Sequence, residues 1–568
     1  MRGFATQERG LATREPAVLG ATLSALVVVA FVAWFVTQER WIYFFDWAGY
    51  WRKTIDLASH LRHDVLGALA TVLRTIRRDE YSFAPVLPLA PPALVFGSSR
   101  LAYVLSIAVL YGVVAAASLA WFADRALLRR LGASREARIA CGATIALQPL
   151  LWVPTLMGLP DVIGCVVLPW AWWLLRPPPT RLDPRRIAIG GLLLALLVVL
   201  RRWYAYAAVG LLVALALESA LLLRERERAT AAALRVAALG GAALAIFLLL
   251  TGSRGLAMLR TDYATLYAAY ASASPLRDAA LGLWRDFGPV VLALALGGAV
   301  AGLVAPATRA RTRVLLVQAL VAVLLFTRTQ SLNLHHDLLL VALLVLAGVG
   351  VARALDLVPA AGRVPACVVL ALALVASFAG VLVPSIRPAL GPLAGALPGI
   401  TYGPLVRGDL DEVARLVRTL DDLTRAGNDK IYVLSSSTVL NEEVVANAYL
   451  VDRSLPALDT RVLPTSHVDL RDGFPFSLLM ARFVVVGEPI GHHLDPRHQQ
   501  VVGIPAREIL RGSTLGRAYV ALPGEFELEG GVRVRIFART RDVRPEELEP
   551  VLAELRAQYP GRPGFTRR

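Results

Sequence analysis

An aspartate set among aromatic rings directly after the first long apolar run, Trp41-Ile42-Tyr43-Phe44-Phe45-Asp46-Trp47-Ala48-Gly49-Tyr50-Trp51, is the first group whose surroundings point to chemistry. Where a membrane helix meets water, an ionised carboxylate loses solvation unless a cation or a metal answers it. Asp46 is therefore a candidate reacting group. The plainer reading makes the Trp and Tyr side chains an interfacial belt and Asp46 a solvated residue or the N-cap of the next helix. Further polar groups recur between later apolar runs: Asp79-Glu80, Asp161, Arg201-Arg202, Arg254, Arg260, Arg328 and His335-His336-Asp337. Adjacent side chains diverge by about 100° on a helix and oppose one another on a strand, which argues against His335 and His336 binding one ion. His467 and His492-His493 lack a spacing motif and read as surface residues, and Asp56 and Asp64 read as solvated groups.

The elements that must position these groups are apolar helices. Of 568 residues, 56% are hydrophobic and the mean hydropathy is +0.57, more than the core of a water-soluble enzyme needs. The chain reads as a polytopic α-helical membrane protein. Its net charge of +16 comes from arginines clustered in short segments between apolar runs, the pattern that orients helices in a bilayer. Nucleic acid is therefore not an expected partner; membrane lipids are. Cys141, Cys165 and Cys367 lie inside apolar runs, where they make neither a disulfide framework nor a thiolate metal site.

Arg2, Arg9 and Arg14 place the N-terminus in the cytoplasm. The first apolar segment, 17–38, is longer than a signal-peptide core and lacks a cleavage site, so it is expected to stay as the first membrane helix. Asp46 then faces outward in a long external loop, 39–99, whose apolar positions Trp51, Ile55, Ala58, Leu61, Val65, Leu69, Val72 and Ile76 define one face of an amphipathic surface helix. Cytoplasmic turns follow at Arg125–Arg138, at Arg176, Arg181, Arg185 and Arg186, at Arg224–Arg228, at Arg309–Arg313 and at Arg353–Arg363. The apolar stretch 187–223 exceeds the roughly 20 residues that a bilayer takes, so Arg201-Arg202-Trp203-Tyr204 is read as an external turn. About eleven transmembrane helices result. Residues 252–287 are read as a second external loop, and because the count is odd the tail from residue 385 lies outside with Asp46.

The tail changes character. Ile431-Tyr-Val-Leu and Phe483-Val-Val-Val are short β-branched runs between helical stretches, and Val532-Arg-Val-Arg-Ile-Phe alternates like a half-exposed strand. Residues 385–568 read as a soluble extracytoplasmic α/β domain after a transmembrane domain, 1–384, with a Pro- and Gly-rich linker over 384–404.

Every conspicuous polar cluster of the membrane half thus falls on one side, although external loops must be polar somewhere. With the aspartate soon after the first helix in Phe45-Asp46-Trp47-Ala48-Gly49-Tyr50, and a second acidic residue in Met157-Gly158-Leu159-Pro160-Asp161-Val162-Ile163-Gly164, the chain resembles the GT-C glycosyltransferase superfamily. A basic turn, a late polar external loop and an external C-terminal domain complete the likeness. It implies a multi-pass enzyme of the bacterial cytoplasmic (inner) membrane that moves a hexose or pentose from a polyprenyl-phosphate-linked sugar donor to an envelope glycan, lipid or protein acceptor.

By resemblance, Asp46 is the general base or acceptor-positioning group, because an acceptor hydroxyl needs a carboxylate within hydrogen-bond reach. Asp161 becomes a second catalytic carboxylate that positions the acceptor or holds a metal. Arg201, Arg202, Arg328, His335 and His336, with Tyr50, become substrate- or lipid-phosphate-binding candidates, since a departing phosphate needs cations or a metal and Arg fits phosphate through its planar fork. Other readings stay open: Arg201 and Arg202 snorkelling to headgroups, Asp161 capping the helix that starts at Val162. Asp46 lacks the acidic neighbour that many relatives show, which leaves Asp79 and Glu80 as secondary acidic candidates and a divalent cation as an open cofactor. Different classes remain in view: an envelope lipid or polysaccharide transporter or flippase, a non-catalytic scaffold, and a membrane acyltransferase or polymerase. Deep segments nearly free of charge argue against a transporter.

Overall fold

In the computed structural model the described residues are 15–177, 180, 183–221, 226–333, 335–560 and 565. Arg2, Arg9, Arg14, Arg181 and Arg224 lie outside them. The chain divides into two compact units, one formed by Met1–Gln38, Tyr50–Thr261 and Ser272–Pro404, the other by Glu39–Gly49, Asp262–Ala271 and Leu405–Arg568. The boundary read from the sequence falls at 384/385, whereas the first unit continues to Pro404.

In the first unit the apolar runs are helices: Pro16–Thr37, Arg100–Leu131, Arg135–Leu156, Pro160–Leu174, Pro184–Leu200, Tyr204–Ala220, Arg226–Thr251, Pro289–Val304, Pro306–Phe326, His336–Asp356 and Ala360–Leu382. Among the described residues six of them are long and apolar enough to cross a membrane, and Pro275–Phe287 with Pro289–Val304, bent by 100°, makes a seventh if taken together. The protein is a multi-pass membrane protein.

Lipid supplies no hydrophobic force between apolar helices, so they associate through close packing at small residues. A Cβ on Gly20 would lie 2.3 Å from the carbonyl oxygen of Ile139, and one on Gly142 would lie 1.9 Å from that of Ala17. Pro16–Thr37 and Arg135–Ala146 therefore touch backbone to backbone. One end of the bundle is tied by ion pairs: the buried Asp124 receives Arg129 at 3.2 Å and Arg138 Nη2 at 2.6 Å, and Glu218 receives Nε and Nη2 of Arg313 at 2.7 Å each.

The stretch 50–78 differs from the expected single surface helix. It forms two helices, Asp46–His63 and Val65–Arg78, because Asp64 leaves helical geometry and its carboxylate accepts the amide of Gly67 at 2.8 Å. Asp64 is thus an N-cap rather than only a solvated charge.

The second unit holds a five-stranded sheet: β1 (Ile431–Leu434), β2 (Phe483–Glu488), β3 (Tyr519–Ala521), β4 (Phe526–Leu528) and β5 (Val532–Arg539), in the order β1-β2-β5-β3 with β4 also on β5. β1 and β2 are parallel, with Ile431 opposite Phe483; the remaining pairs are antiparallel. Alternate residues serve two cores, as a doubly covered sheet requires. Ile431, Val433, Val485 and Ile536 pack on helix Leu410–Thr424, while Tyr432, Leu434, Val484 and Val486 pack with Val501, Ile504 and Leu552.

The aromatic stretch after the first helix is not an interfacial belt. Ile42 and Phe44, 1% and 4% exposed, belong to the first of these cores. Backbone bonds from Arg40 to Leu405 and from Arg407 to Arg40, 2.9 Å each, and one from Asn447 Nδ2 to the Tyr43 carbonyl, 2.9 Å, fasten the stretch there. Apolar side chains find more burial in a protein core than among headgroups, which is why the core takes them.

Gly142→Ala should cost about 1–3 kcal/mol through overpacking, seen as an earlier loss of the monodisperse peak when the detergent-solubilised protein is heated before size exclusion.

Candidate active site

Asp161 is held by its loop before its side chain does anything. Gly158 sits at φ +78°, where a Cβ would fall 2.3 Å from Arg100 Nη1. Arg100 donates to the carbonyl of Met157 at 2.8 Å and Tyr103 Oη to that of Gly158 at 2.8 Å. Tyr204 Oη donates to the Asp161 carbonyl at 3.0 Å, and Gly164 makes room for the Tyr204 ring. The carboxylate, fully buried, meets Arg201: Nε lies 2.5 Å from Oδ1 and Nη2 donates to Oδ2 at 3.2 Å.

Helix Pro184–Leu200 ends because Arg201 turns to an extended backbone, φ −150° and ψ 118°, which sends its side chain toward Asp161. Its guanidinium also donates to Tyr50 Oη and stands 5.0 Å from the Tyr50 ring and 5.8 Å from the Tyr81 ring. At 6% exposure Arg201 is not a snorkelling residue, and Asp161 is not a helix cap but half of a buried ion pair. The physical reason is common to both: in a low-dielectric setting each charge is stabilised far more by the other than by a headgroup or a few amides.

Arg202, partly exposed, pairs instead with Glu80. Asp79 is the exposed C-cap of helix Val65–Arg78, and Arg328 is exposed. The imidazoles of His335 and His336 do not diverge as expected: their ring centroids are 3.9 Å apart, because the chain turns into the 3-10 helix His336–Leu340 between them. His336 is buried against Trp203, at 5.6 Å, and Phe326, at 4.6 Å, within electrostatic reach of Arg201. Sequence reasoning missed Tyr81, Arg100 and Tyr204. It also missed the carboxyl pair of Asp286 and Asp337, both buried and hydrogen-bonded to each other, with Arg285 on Asp286 at 2.6 and 2.9 Å. Among the described residues no group of three or more His, Cys, Asp and Glu side chains is arranged to hold a metal ion.

Tyr50, Glu80, Asp161, Arg201, Arg202, His335 and His336 thus all belong to the first unit, and several touch. Asp46 belongs to the second. It opens helix Asp46–His63, where the positive end of the helix dipole favours its charge. Phe45 before it has φ +52°, in the left-handed region. In the same unit Asp46 acts electrostatically on Tyr270, which receives Arg471 Nη1 at 3.4 Å; burial first, then Asp472 and Asp46, push the Tyr270 phenol up despite Arg471.

Against the surface reading of the tail histidines, His467 is 6% exposed and His493 half-buried. Ser436, in the loop after β1, lies 2.8 Å from Nδ1 of His467, which comes after helix Glu442–Val451, and 2.6 Å from Nδ1 of His493, in the loop after β2. Glu442 Oε1 lies 2.9 Å from His467 Nε2, and Gln499 Nε2 donates to Ser436 Oγ at 3.0 Å. These partners stand 25 to 63 residues apart in the chain, so no local spacing announces them. Burial, followed by the neighbouring His467, pushes the His493 imidazole down to about 4.

No protein-family profile matches the chain, and no curated protein matches it. Among solved structures it is similar to ArnT from Cupriavidus metallidurans bound to undecaprenyl phosphate, at 12% identity over 91% of this chain and 98% of that one, with a TM-score of 0.48. The apo form of the same protein gives 13% identity over 92% and 98%, TM-score 0.47. The arabinofuranosyltransferase AftD from Mycobacteria gives 15% identity over 93% of this chain and 40% of that chain, TM-score 0.46.

Arg201→Met strands the Asp161 carboxylate and should cost about 3–5 kcal/mol, with much of it recovered in the Arg201→Met/Asp161→Leu double variant; thermal unfolding in detergent measures both. Folded His493 binds its proton less well than the unfolded chain, whose His titrates near 6.5. The stability it contributes is therefore lost as pH falls from about 6.5 to about 4, on the order of 1–2 kcal/mol after allowance for its partial solvent access. Hydrogen exchange of β1 and β2 at pH 7 and pH 5 should show this loss in the wild type and less of it in His493→Gln.

Proposed function

We propose that the protein is a glycosyltransferase of the GT-C kind, transferring a sugar from a polyprenyl-phosphate carrier to an envelope acceptor on the outer face of the cytoplasmic membrane. The observation that carries this reading is the Arg201 cluster: a guanidinium buried among apolar helices, paired with a carboxylate and a phenol, with Arg202 next in sequence. A lipid-linked phosphate needs such a setting, apolar for its chain and cationic for its head.

Roles follow from residue type and local surroundings. Asp46 takes the proton of the acceptor hydroxyl as its oxygen bonds to the anomeric carbon. The bond from that carbon to the phosphate oxygen breaks, and its electron pair leaves with the polyprenyl phosphate. Attack from the face opposite the leaving group inverts the anomeric configuration. Arg201, Arg202, Arg328 and one of His335 and His336 stabilise the charge growing on the phosphate, and Asp161 keeps Arg201 in place as well as serving as the second carboxylate.

The test supplies undecaprenyl-phosphate-linked hexoses and pentoses, labelled in the sugar, to the detergent-solubilised full chain with an envelope fraction as acceptor and water as the fallback. Release of undecaprenyl phosphate with at least one donor is expected. Asp46→Asn should lower turnover by 10²–10⁴-fold while its size-exclusion profile stays that of the wild type; unchanged turnover moves the base elsewhere, with Asp79 and Glu80 next. Membrane-impermeant labelling of cysteines introduced at Ser82 and at Ser513 should report both from the outer face, and labels on opposite faces would remove the outer-face reading.

A further inference from the structure

Phe45 is one of three residues other than glycine with positive φ among those described, and it immediately precedes Asp46. For an L-residue this conformation costs energy unless its surroundings hold it. Two sets of contacts do so. The Phe45 amide donates to Glu443 Oε2, and the Phe45 ring stands 5.2 Å edge-on from His467 and 5.2 Å from His493.

Those two imidazoles are themselves fixed, and the hydrogen bonds assign their tautomers. His493 Nδ1 lies 2.9 Å from the Ser436 carbonyl oxygen, which can only accept, so His493 donates there; the same nitrogen stands 2.6 Å from Ser436 Oγ and 3.1 Å from Gln499 Nε2. The Ser436 hydroxyl then donates to His467 Nδ1, and His467 Nε2 donates to Glu442. Gln499 closes the set, its Nε2 donating to Ser436 Oγ at 3.0 Å and to the His467 carbonyl at 2.9 Å, while its Oε1 accepts the amides of His493 and Leu494 at 3.0 Å each. The Ser436 hydroxyl is fully buried with three partners. It is the hub of a rigid network, not a nucleophile waiting for a substrate.

We propose that Glu443 and the His493–Ser436–His467–Glu442 chain form a clamp that holds Phe45 in its left-handed conformation and thereby aims the Asp46 carboxylate. The inference rests on Asp46 as the general base. Glu443, His467 and His493 are positioning residues, acting on the reaction only through the backbone at residue 45. Asn447, which donates to the Tyr43 carbonyl two residues upstream, anchors the other side of the same turn.

The test compares kcat and KM for the undecaprenyl-phosphate-linked donor found active above, using the full chain. Phe45→Ala, which keeps a Cβ and loses the ring, should lower kcat by 10–100-fold with KM within about twofold. Phe45→Gly, which adopts positive φ freely, should lose less than Phe45→Ala. Glu443→Ala should lower kcat, and Glu443→Gln, whose amide oxygen still accepts the Phe45 amide, should restore most of it. In an Asp46→Glu background, where the carboxylate is already displaced, Phe45→Ala and Glu443→Ala should each change the residual rate by less than twofold.

Equal losses in both backgrounds, or a rise in KM with kcat unchanged, overturn the clamp while leaving Asp46 as the base. Full activity of Asp46→Asn instead removes the base assignment, and the clamp with it. If Phe45→Ala does not fold, the paired Glu443 variants carry the same comparison.

Discussion

A guanidinium and a carboxylate buried together among apolar helices form the constraint on which the membrane unit turns. Neither Arg201 nor Asp161 could stand alone there, since removing a charge from water costs several kcal/mol unless an opposite charge lies within contact distance. Their pairing therefore decides where helix Pro184–Leu200 stops and how the loop before helix Pro160–Leu174 is shaped. Arg100, Tyr103 and Tyr204 spend their own hydrogen bonds on that loop's carbonyls, which makes it a fixed platform rather than a mobile turn. Tyr50 then ties helix Asp46–His63 to the same guanidinium.

The helices were legible because their signal is local. A run of about 20 apolar residues bounded by arginines needs no partner to be recognised, and each such run is helical. The strands β1, β2 and β5 were visible for a similar reason, as β-branched runs or alternation within a few residues. Asp161 and Arg201 could be singled out as charges beside apolar segments. Their bond to each other could not, since nothing in the chain between two residues 40 positions apart encodes which cation meets which anion.

Where reading failed, the deciding contact was long in sequence or subtle in backbone. The aromatic residues 41–45 carry the composition of an interfacial belt, yet Ile42 and Phe44 bury themselves in a core built from residues beyond 410. The tail histidines look like surface groups because their partners come from separate loops that meet only at the carboxyl ends of β1 and β2. His335 and His336 were judged by ideal helix and strand geometry, whereas the turn at their junction follows neither and leaves the rings side by side. Asp64 offered a clearer sign, an aspartate three residues before Gly67 that could have been recognised as a capping position.

Two of the bonds that seat the early aromatic segment span 398 and 404 residues. At about 5–20 residues per second, the ribosome delivers Glu443 and Asn447 tens of seconds after Phe45 and Tyr43 have emerged. Throughout that interval Ile42 and Phe44 lack the core neighbours that come from beyond residue 410, and β1 and β2 cannot complete their packing until both stretches have arrived. The globular unit is thus assembled only after residue 447 has emerged, from a segment made about 400 residues earlier.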